Sequence, residues 1–126
     1  MMNNYQTITA STPKGGVLRV ALFDLSENHN DAVATLSRRQ RAKAARIEIE
    51  DHLAHGGMVE LDCSNTDATQ SFMDELVGIL VLERGPNVLD LLRFRGCSRD
   101  MKAIINFVVS DRALQYHKNP HLHAPR

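Results

Sequence analysis

Met58-Val59-Glu60-Leu61-Asp62-Cys63-Ser64, closed by Asn65-Thr66-Asp67 and followed by Ser71-Phe72-Met73-Asp74-Glu75-Leu76, takes the chain from one structural period to another. In the first segment Val59, Leu61 and Cys63 alternate with Met58, Glu60, Asp62 and Ser64, as a strand with one apolar face requires. Asn65-Thr66-Asp67 favours a turn. From about Ser71 to Arg84 the period becomes helical, with Ser71 supplying an N-cap oxygen and Asp74, at the third helical position, complementing the positive end of the dipole. Phe72, Leu76, Ile79, Leu80, Val81 and Leu82 nearly encircle this helix, which predicts that it is the most buried one. Gly85-Pro86 ends it.

Upstream, Ser37-Arg38-Arg39-Gln40 has the S-x-x-Q spacing of a capping box and predicts a helix start at Ser37. Ala42, Ala45, Ile49 and Leu53 give this first helix a narrow stripe of small and aliphatic residues, and His55-Gly56-Gly57 stops it. Nearer the N-terminus, Gln6 to Ser11 and Val17 to Asp24 read as extended segments around the turn Thr12-Pro13-Lys14-Gly15-Gly16, which is a hairpin in its simplest form. Leu25 to Thr35 reads as a loop with room for a short helical turn around Ala32 to Leu36. Downstream, Leu89 to Cys97 supplies another strand with Leu92 and Phe94 inward. Ser98-Arg99-Asp100 then opens a third helix, whose inner face runs through Met101, Ile104, Ile105 and Val108 to Leu114. Strands alternating with amphipathic helices imply right-handed crossovers and an α/β layer.

The 126-residue chain is long enough for one core, expected over residues 6–115, with a flexible N-terminus at 1–5 and a disordered tail at 116–126. Fifteen basic residues cancel fifteen acidic ones, so any electrostatic partner must be met by a local patch. With 5% aromatics and no tryptophan the core must be aliphatic. The run Leu76 to Leu82 falls far short of the roughly 20 apolar residues that span a bilayer, and Met1-Met2-Asn3-Asn4 does not open a signal peptide. A soluble, cytoplasmic protein with no membrane partner is the expectation. Cys63 and Cys97 lack any CxxC partner, fit buried reduced thiols, and fall at strand ends that a parallel sheet brings close together.

Ser37-Arg38 opening a helix, then Val59-Glu60-Leu61-Asp62-Cys63-Ser64-Asn65 leading into Thr69-Gln70-Ser71-Phe72-Met73-Asp74-Glu75-Leu76-Val77-Gly78, resembles the bacterial STAS-like domain family of unknown function. That name marks similarity to the sulfate transporter and anti-sigma-factor antagonist domain. The resemblance covers roughly residues 17 to 112 and is most specific at the Ser-Phe-x-Asp-Glu-Leu run. It implies a small single α/β domain: a central mixed sheet of four to five strands, an N-terminal hairpin and about three packed helices. Members of the broader superfamily are mostly non-enzymatic binding modules, several switched by a serine kinase with a histidine-kinase-type ATP site. Where phosphorylated antagonists carry an Asp-Ser-Ser-Gly-like sequence, this chain has Gln70-Ser71-Phe72-Met73, so Ser71 is the one candidate phosphoacceptor there.

Ser71 therefore carries two readings, a capping residue worth about 1 kcal/mol and a phosphorylation site. A phosphate there would gain a helix N-terminus but meet Asp67, Asp74 and Glu75, which makes it a disruptive switch. Ser64, Asp67, Thr69, Ser71, Asp74 and Glu75 form the candidate partner-binding corner. Adjacent positions on a helix point about 100° apart, so Asp74 and Glu75 do not suit an acid/base pair. The first helix adds an anomaly: Arg38, Arg39, Arg41, Lys43 and Arg46 crowd its N-terminal half and Glu48, Glu50 and Asp51 its C-terminal half, against the dipole. Arg38, Arg39 and Lys43 join the partner-binding set, and the whole basic cluster carries the alternative of nucleic-acid binding. A small-ligand or nucleotide pocket beside Ser71 is a third reading, and homodimerisation through the hairpin or the third helix a lesser one. His117, His121 and His123 lie in a Pro-containing tail without a nearby carboxylate or thiol, so no metal is expected. No phosphate loop, nucleophile elbow or zinc-protease motif is present, and the chain reads as a non-enzyme without catalytic residues or cofactor. The expected partner is a histidine-kinase-type ATPase or its regulator.

Overall fold

A computed structural model of the protein describes residues 15–26, 34–36 and 38–118. In chain order the elements are β1 (Val17–Ala21), β2 (Ala34–Leu36), α1 (Arg39–Ala54), β3 (Met58–Asp62), β4 (Thr66–Ala68), α2 (Gln70–Met73), α3 (Ile79–Arg84), β5 (Leu92–Arg95) and α4 (Arg99–Lys118). A π-helical turn, Asp74–Gly78, joins α2 to α3, so residues 70–84 form one unbroken helical run. Short 3-10 turns, Leu22–Leu25 and Pro86–Leu91, follow β1 and precede β5.

β1, β3 and β5 form a three-stranded parallel sheet with β3 in the centre. Leu18, Val59 and Leu92 lie in register, as do Val20, Leu61 and Phe94. This face is the buried one: Val59 and Leu61 are sealed and Leu92 nearly so, while Leu18, Val20 and Phe94 pack at its margin. The opposite face carries Arg19, Glu60 and Arg95, with Glu60 3.3 Å from Arg19 and 3.6 Å from Arg95. The alternation of Met58–Ser64 thus decides which side of the sheet receives the helices. Ala42, Ala45, Ile49 and Leu53 of α1 are buried, and the small size of the two alanines lets α1 sit close to the sheet and to the 70–84 run. Phe72, Met73, Leu76, Val77, Leu80 and Val81 make that run the centre of the core, and Met101, Ile105 and Val108 close it from α4.

Several expectations are corrected. Among the described residues the strands form a three-stranded parallel sheet plus a separate two-stranded parallel ladder, β2 with β4, where a single mixed sheet of four to five strands was expected. Every strand pair here is joined through a helix or a long connection, which enforces parallel order. Ala34–Leu36, expected as loop or helical turn, is extended because it pairs with Thr66–Ala68. That segment, in turn, is a strand and not the end of a turn: Asn65, at φ 54°, swings the chain out of the main sheet into the second ladder. β5 begins at Leu92, since Gly85 at φ +89° and Pro86 start a 3-10 turn that consumes Leu89 to Leu91. α1 starts at Arg39, with Arg38 at the N-cap and making no side-chain cap; Ser37, where the helix was expected to start as part of a capping box, lies outside the described residues. Leu114, expected inward, is 55% exposed. α4 continues to Lys118, past the Tyr116 at which the tail was expected to begin. The Gln6–Ser11 arm of the hairpin, residues 1–5 and residues 119–126 lie outside the described residues.

Candidate functional site

The corner between β3 and the 70–84 helical run is built by local hydrogen bonds. Asp62 accepts from the Ser64 backbone N–H at 3.0 Å, and this bond with that of the Ser64 hydroxyl holds the Asp62 carboxyl below its usual range. The Thr66 hydroxyl donates to the Ser64 carbonyl at 2.9 Å. Thr69, not Ser71, caps the helix: its Oγ1 accepts from the Phe72 N–H at 3.1 Å. Ser71 lies inside the first turn with its side chain exposed, which removes the capping role assigned to it. Ser64, Asp67, Thr69 and Gln70 are exposed as well, while Thr66 and Ala68 are buried by the β2–β4 ladder.

Asp74 and Glu75, adjacent in sequence, turn to different helices. Asp74 is gripped by Arg112 of α4, with Nε to Oδ1 at 2.7 Å and Nη2 to Oδ2 at 2.6 Å. The same bond pushes the Arg112 guanidinium above its ordinary range. Glu75 meets Arg46 of α1, whose Nη1 lies 2.5 Å from the carboxylate and 2.7 Å from the Glu75 carbonyl. Arg39 stands 3.8 Å from the same carboxylate. Two neighbouring acids thus anchor the central helix to the helices on either side, and neither is positioned against the other. Arg46 is 8% exposed, so it belongs to the core and not to a basic surface. The reversed charge order of α1 is offset by these tertiary pairs, to which Arg41 adds a bond to the Leu25 carbonyl at 3.5 Å. Arg38 and Lys43 are exposed.

Arg39, Gln70, Ser71, Asp74, Phe107 and Arg112 line a polar cleft of about 220 Å³ between α1, α2 and α4. Ser71, Asp74 and Arg39 are thereby brought together, Glu75 joins them through Arg39, and Ser64, Asp67, Arg38 and Lys43 are not among the lining residues. Sequence reasoning missed Arg112 and Phe107. The signal for Phe107 was its place off the apolar stripe of α4, where it is 56% exposed. Nothing in the sequence paired Arg112 with an acid 38 residues away. Among the described residues, no group of three or more His, Cys, Asp or Glu is placed to hold a metal ion. No helix among them is long and apolar enough to cross a membrane.

Residues 42–102 match the family described as STAS-like domain of unknown function (DUF4325), a stretch that runs from the first turns of α1 to the first turn of α4. No curated protein and no solved structure matches the chain.

Proposed function

With residues 42–102 matching a STAS-like domain, we propose that the chain is a non-enzymatic protein–protein interaction module that docks its partner on the cleft between Ser71 and α4. The observation that carries this reading is Phe107, a large aromatic side chain 56% exposed beside Arg39 and Ser71. An exposed aromatic next to an arginine, rimmed by polar groups, has the composition that protein–protein interfaces are enriched in. Gln70, Ser71, Asp111 and Gln115 supply the polar groups around it. A phosphate on Ser71 adds a dianion beside Asp74 and Asp111 and offers Arg112 a competing partner, so it weakens docking and loosens the Asp74–Arg112 clamp. The partner class, a histidine-kinase-type ATPase or a regulator under its control, follows from the STAS-like resemblance, and such a kinase is the source of the phosphate.

The two other readings draw less support. Nucleic-acid binding through α1 loses Arg46 to the core and draws Arg39 toward Glu75. A nucleotide pocket beside Ser71 would need roughly 300–1,000 Å³, and the cleft there measures about 220 Å³.

The test is capture of a histidine-kinase-type ATPase from the native host by the full chain, comparing wild type with Phe107→Ala, Arg39→Ala and Ser71→Glu, and with Arg93→Ala on the open face of the sheet as control. Docking on the cleft predicts a loss of about tenfold or more for the first three and unchanged capture for the control. Equal capture by all four variants, or none by the wild type, rejects the reading. Phosphoserine mapping after incubation with the captured ATPase and ATP then checks Ser71.

A further inference from the structure

Cys63 and Cys97 meet where the carboxyl ends of β3 and β5 leave the sheet. The Cys63 backbone N–H donates to the Arg95 carbonyl at 2.8 Å, which extends the β3–β5 ladder by one residue. Two positions after Leu61, Cys63 shares its inward face and is 1% exposed. Gly96, at φ +71°, then turns the chain so tightly that an added Cβ would come within 2.2 Å of the Ser64 hydroxyl. This turn returns Cys97 to the end of β3, so that the two thiols are neighbours, with the Cys63 thiol itself donating to the Leu61 carbonyl at 3.9 Å. Both are free thiols, but their surroundings differ. Cys63 is sealed, whereas Cys97 is half-buried and lines a cleft of about 400 Å³ with Phe94, Lys102, Ile105 and Asn106.

We propose that Cys63 and Cys97 are an oxidisable dithiol, which a hydroperoxide entering this cleft converts to an intramolecular disulfide. The accessible Cys97 reacts first. Its sulfur attacks one peroxide oxygen, the O–O bond breaks, and Cys97 becomes a sulfenic acid as one water leaves. The Cys63 sulfur then attacks the Cys97 sulfur: the S–S bond forms, the S–O bond breaks, and the Cys63 proton departs with the hydroxyl as a second water. Two thiols give up two electrons and two protons, and one hydrogen peroxide becomes two waters. Burial, and next the adjacent Cys97 thiol, push Cys63 well above the usual thiol range, so Cys63 is not the group that meets the oxidant, and it is its place beside Cys97 that lets it resolve a sulfenic acid formed there. Two thiols buried in an apolar core otherwise act as small hydrophobes. The cleft at Cys97 is what gives this pair an oxidant path. The bridge ties the end of β3 to the entry of α4, directly beneath Ser64, so the oxidation state sets how firmly the exposed corner is held.

The reduced full chain is treated with one equivalent of hydrogen peroxide, alkylated with N-ethylmaleimide and read by intact mass and a non-reducing peptide map. The expected product has lost two hydrogens, carries no alkylation, yields a Cys63–Cys97 cross-linked peptide and returns to the dithiol with dithiothreitol. Cys63→Ala is expected to leave a sulfenic acid at Cys97 that dimedone traps, and where that variant does not fold the wild-type map decides alone. Any of three outcomes in the wild type overturns the proposal: Cys97 driven to sulfinic acid while Cys63 is still alkylated, dimers joined through Cys97, or both thiols unreacted.

Discussion

Arg112 of α4 holds Asp74 in a two-point clamp across the joint between the central helical run and α4, both bonds at 2.6–2.7 Å. A guanidinium matches a carboxylate in this planar fashion and an ammonium does not. The two side chains are 21% and 23% exposed, so removing one leaves the other largely desolvated without its partner. Arg112→Ala is therefore expected to lower unfolding stability by about 1–3 kcal/mol in urea titration, and Arg112→Lys to recover less than half of that loss. A double-mutant cycle with Asp74→Asn isolates the coupling of the pair from the packing of the arginine stem. A coupling near zero would show that the clamp does not hold the helices together.

Thr69 and Ser71 separate the capping role from the surface role. Thr69 accepts the Phe72 N–H, while Ser71 projects from the first turn into the cleft. Thr69→Ala is expected to cost about 1 kcal/mol, and Ser71→Ala to change stability by less than about 0.5 kcal/mol. Thermal and urea unfolding of the two variants read this directly. The reverse ranking would return the cap to Ser71.

These two residues also show how far the sequence could be read. The alternation from Met58 to Ser64 and the apolar run from Phe72 to Val81 were legible because each is a local period that burial must honour. The stripe Ala42, Ala45, Ile49 and Leu53 and the cap at Ser98, which accepts from the Met101 N–H at 3.1 Å, were legible for the same reason. Thr69 and Ser71 both stand at plausible cap positions, and only the backbone geometry after β4 chooses between them. β2 was hidden because Ala34-Thr35-Leu36 is too short to show a period, and its partner Thr66–Ala68 lies about thirty residues away. The cleft was half visible. Its corner residues come from one contiguous stretch, whereas Arg112 and Phe107 arrive from α4 by tertiary packing that no local pattern encodes.

Gly78 marks the closest approach of the π-helical turn to α4. A Cβ built there falls 2.3 Å from Asp74 Oδ1 and 2.8 Å from Val108 Cγ1. Gly78 has ordinary helical backbone angles, so in an exposed helix alanine would be favoured by about 0.8–1.0 kcal/mol. Here the steric term wins, since Asp74 must break from Arg112 or α4 must shift. Gly78→Ala is expected to destabilise by about 1–3 kcal/mol, and to weaken any docking on the adjacent cleft. An unchanged or higher melting temperature would mean that the helices part without penalty.

Glu50 of α1 supplies a pH dependence whose sign can be worked out. Desolvation raises its carboxyl above the ordinary 4.5, the hydrogen bond and charge of Glu83 raise it further, and Arg46 and Arg84 oppose them without prevailing. The folded chain thus holds this proton to a higher pH than the unfolded chain does. Stability from this group is greatest below about pH 4.5, falls as pH rises through the folded value, and is at its lowest at neutral pH. Glu50→Gln removes the charge that opposes burial and faces Glu83. It also removes an i,i+4 pair with Arg46 at 3.6 Å, an interaction worth about 0.3–0.5 kcal/mol. The net upward displacement says that the first effect outweighs the second. Thermal unfolding is therefore expected to show Glu50→Gln melting above wild type near pH 7, with the difference narrowing as the pH falls through the raised folded value and the wild-type carboxyl takes up its proton. A variant that melts below wild type near pH 7 would show that the Arg46 pair dominates at this position.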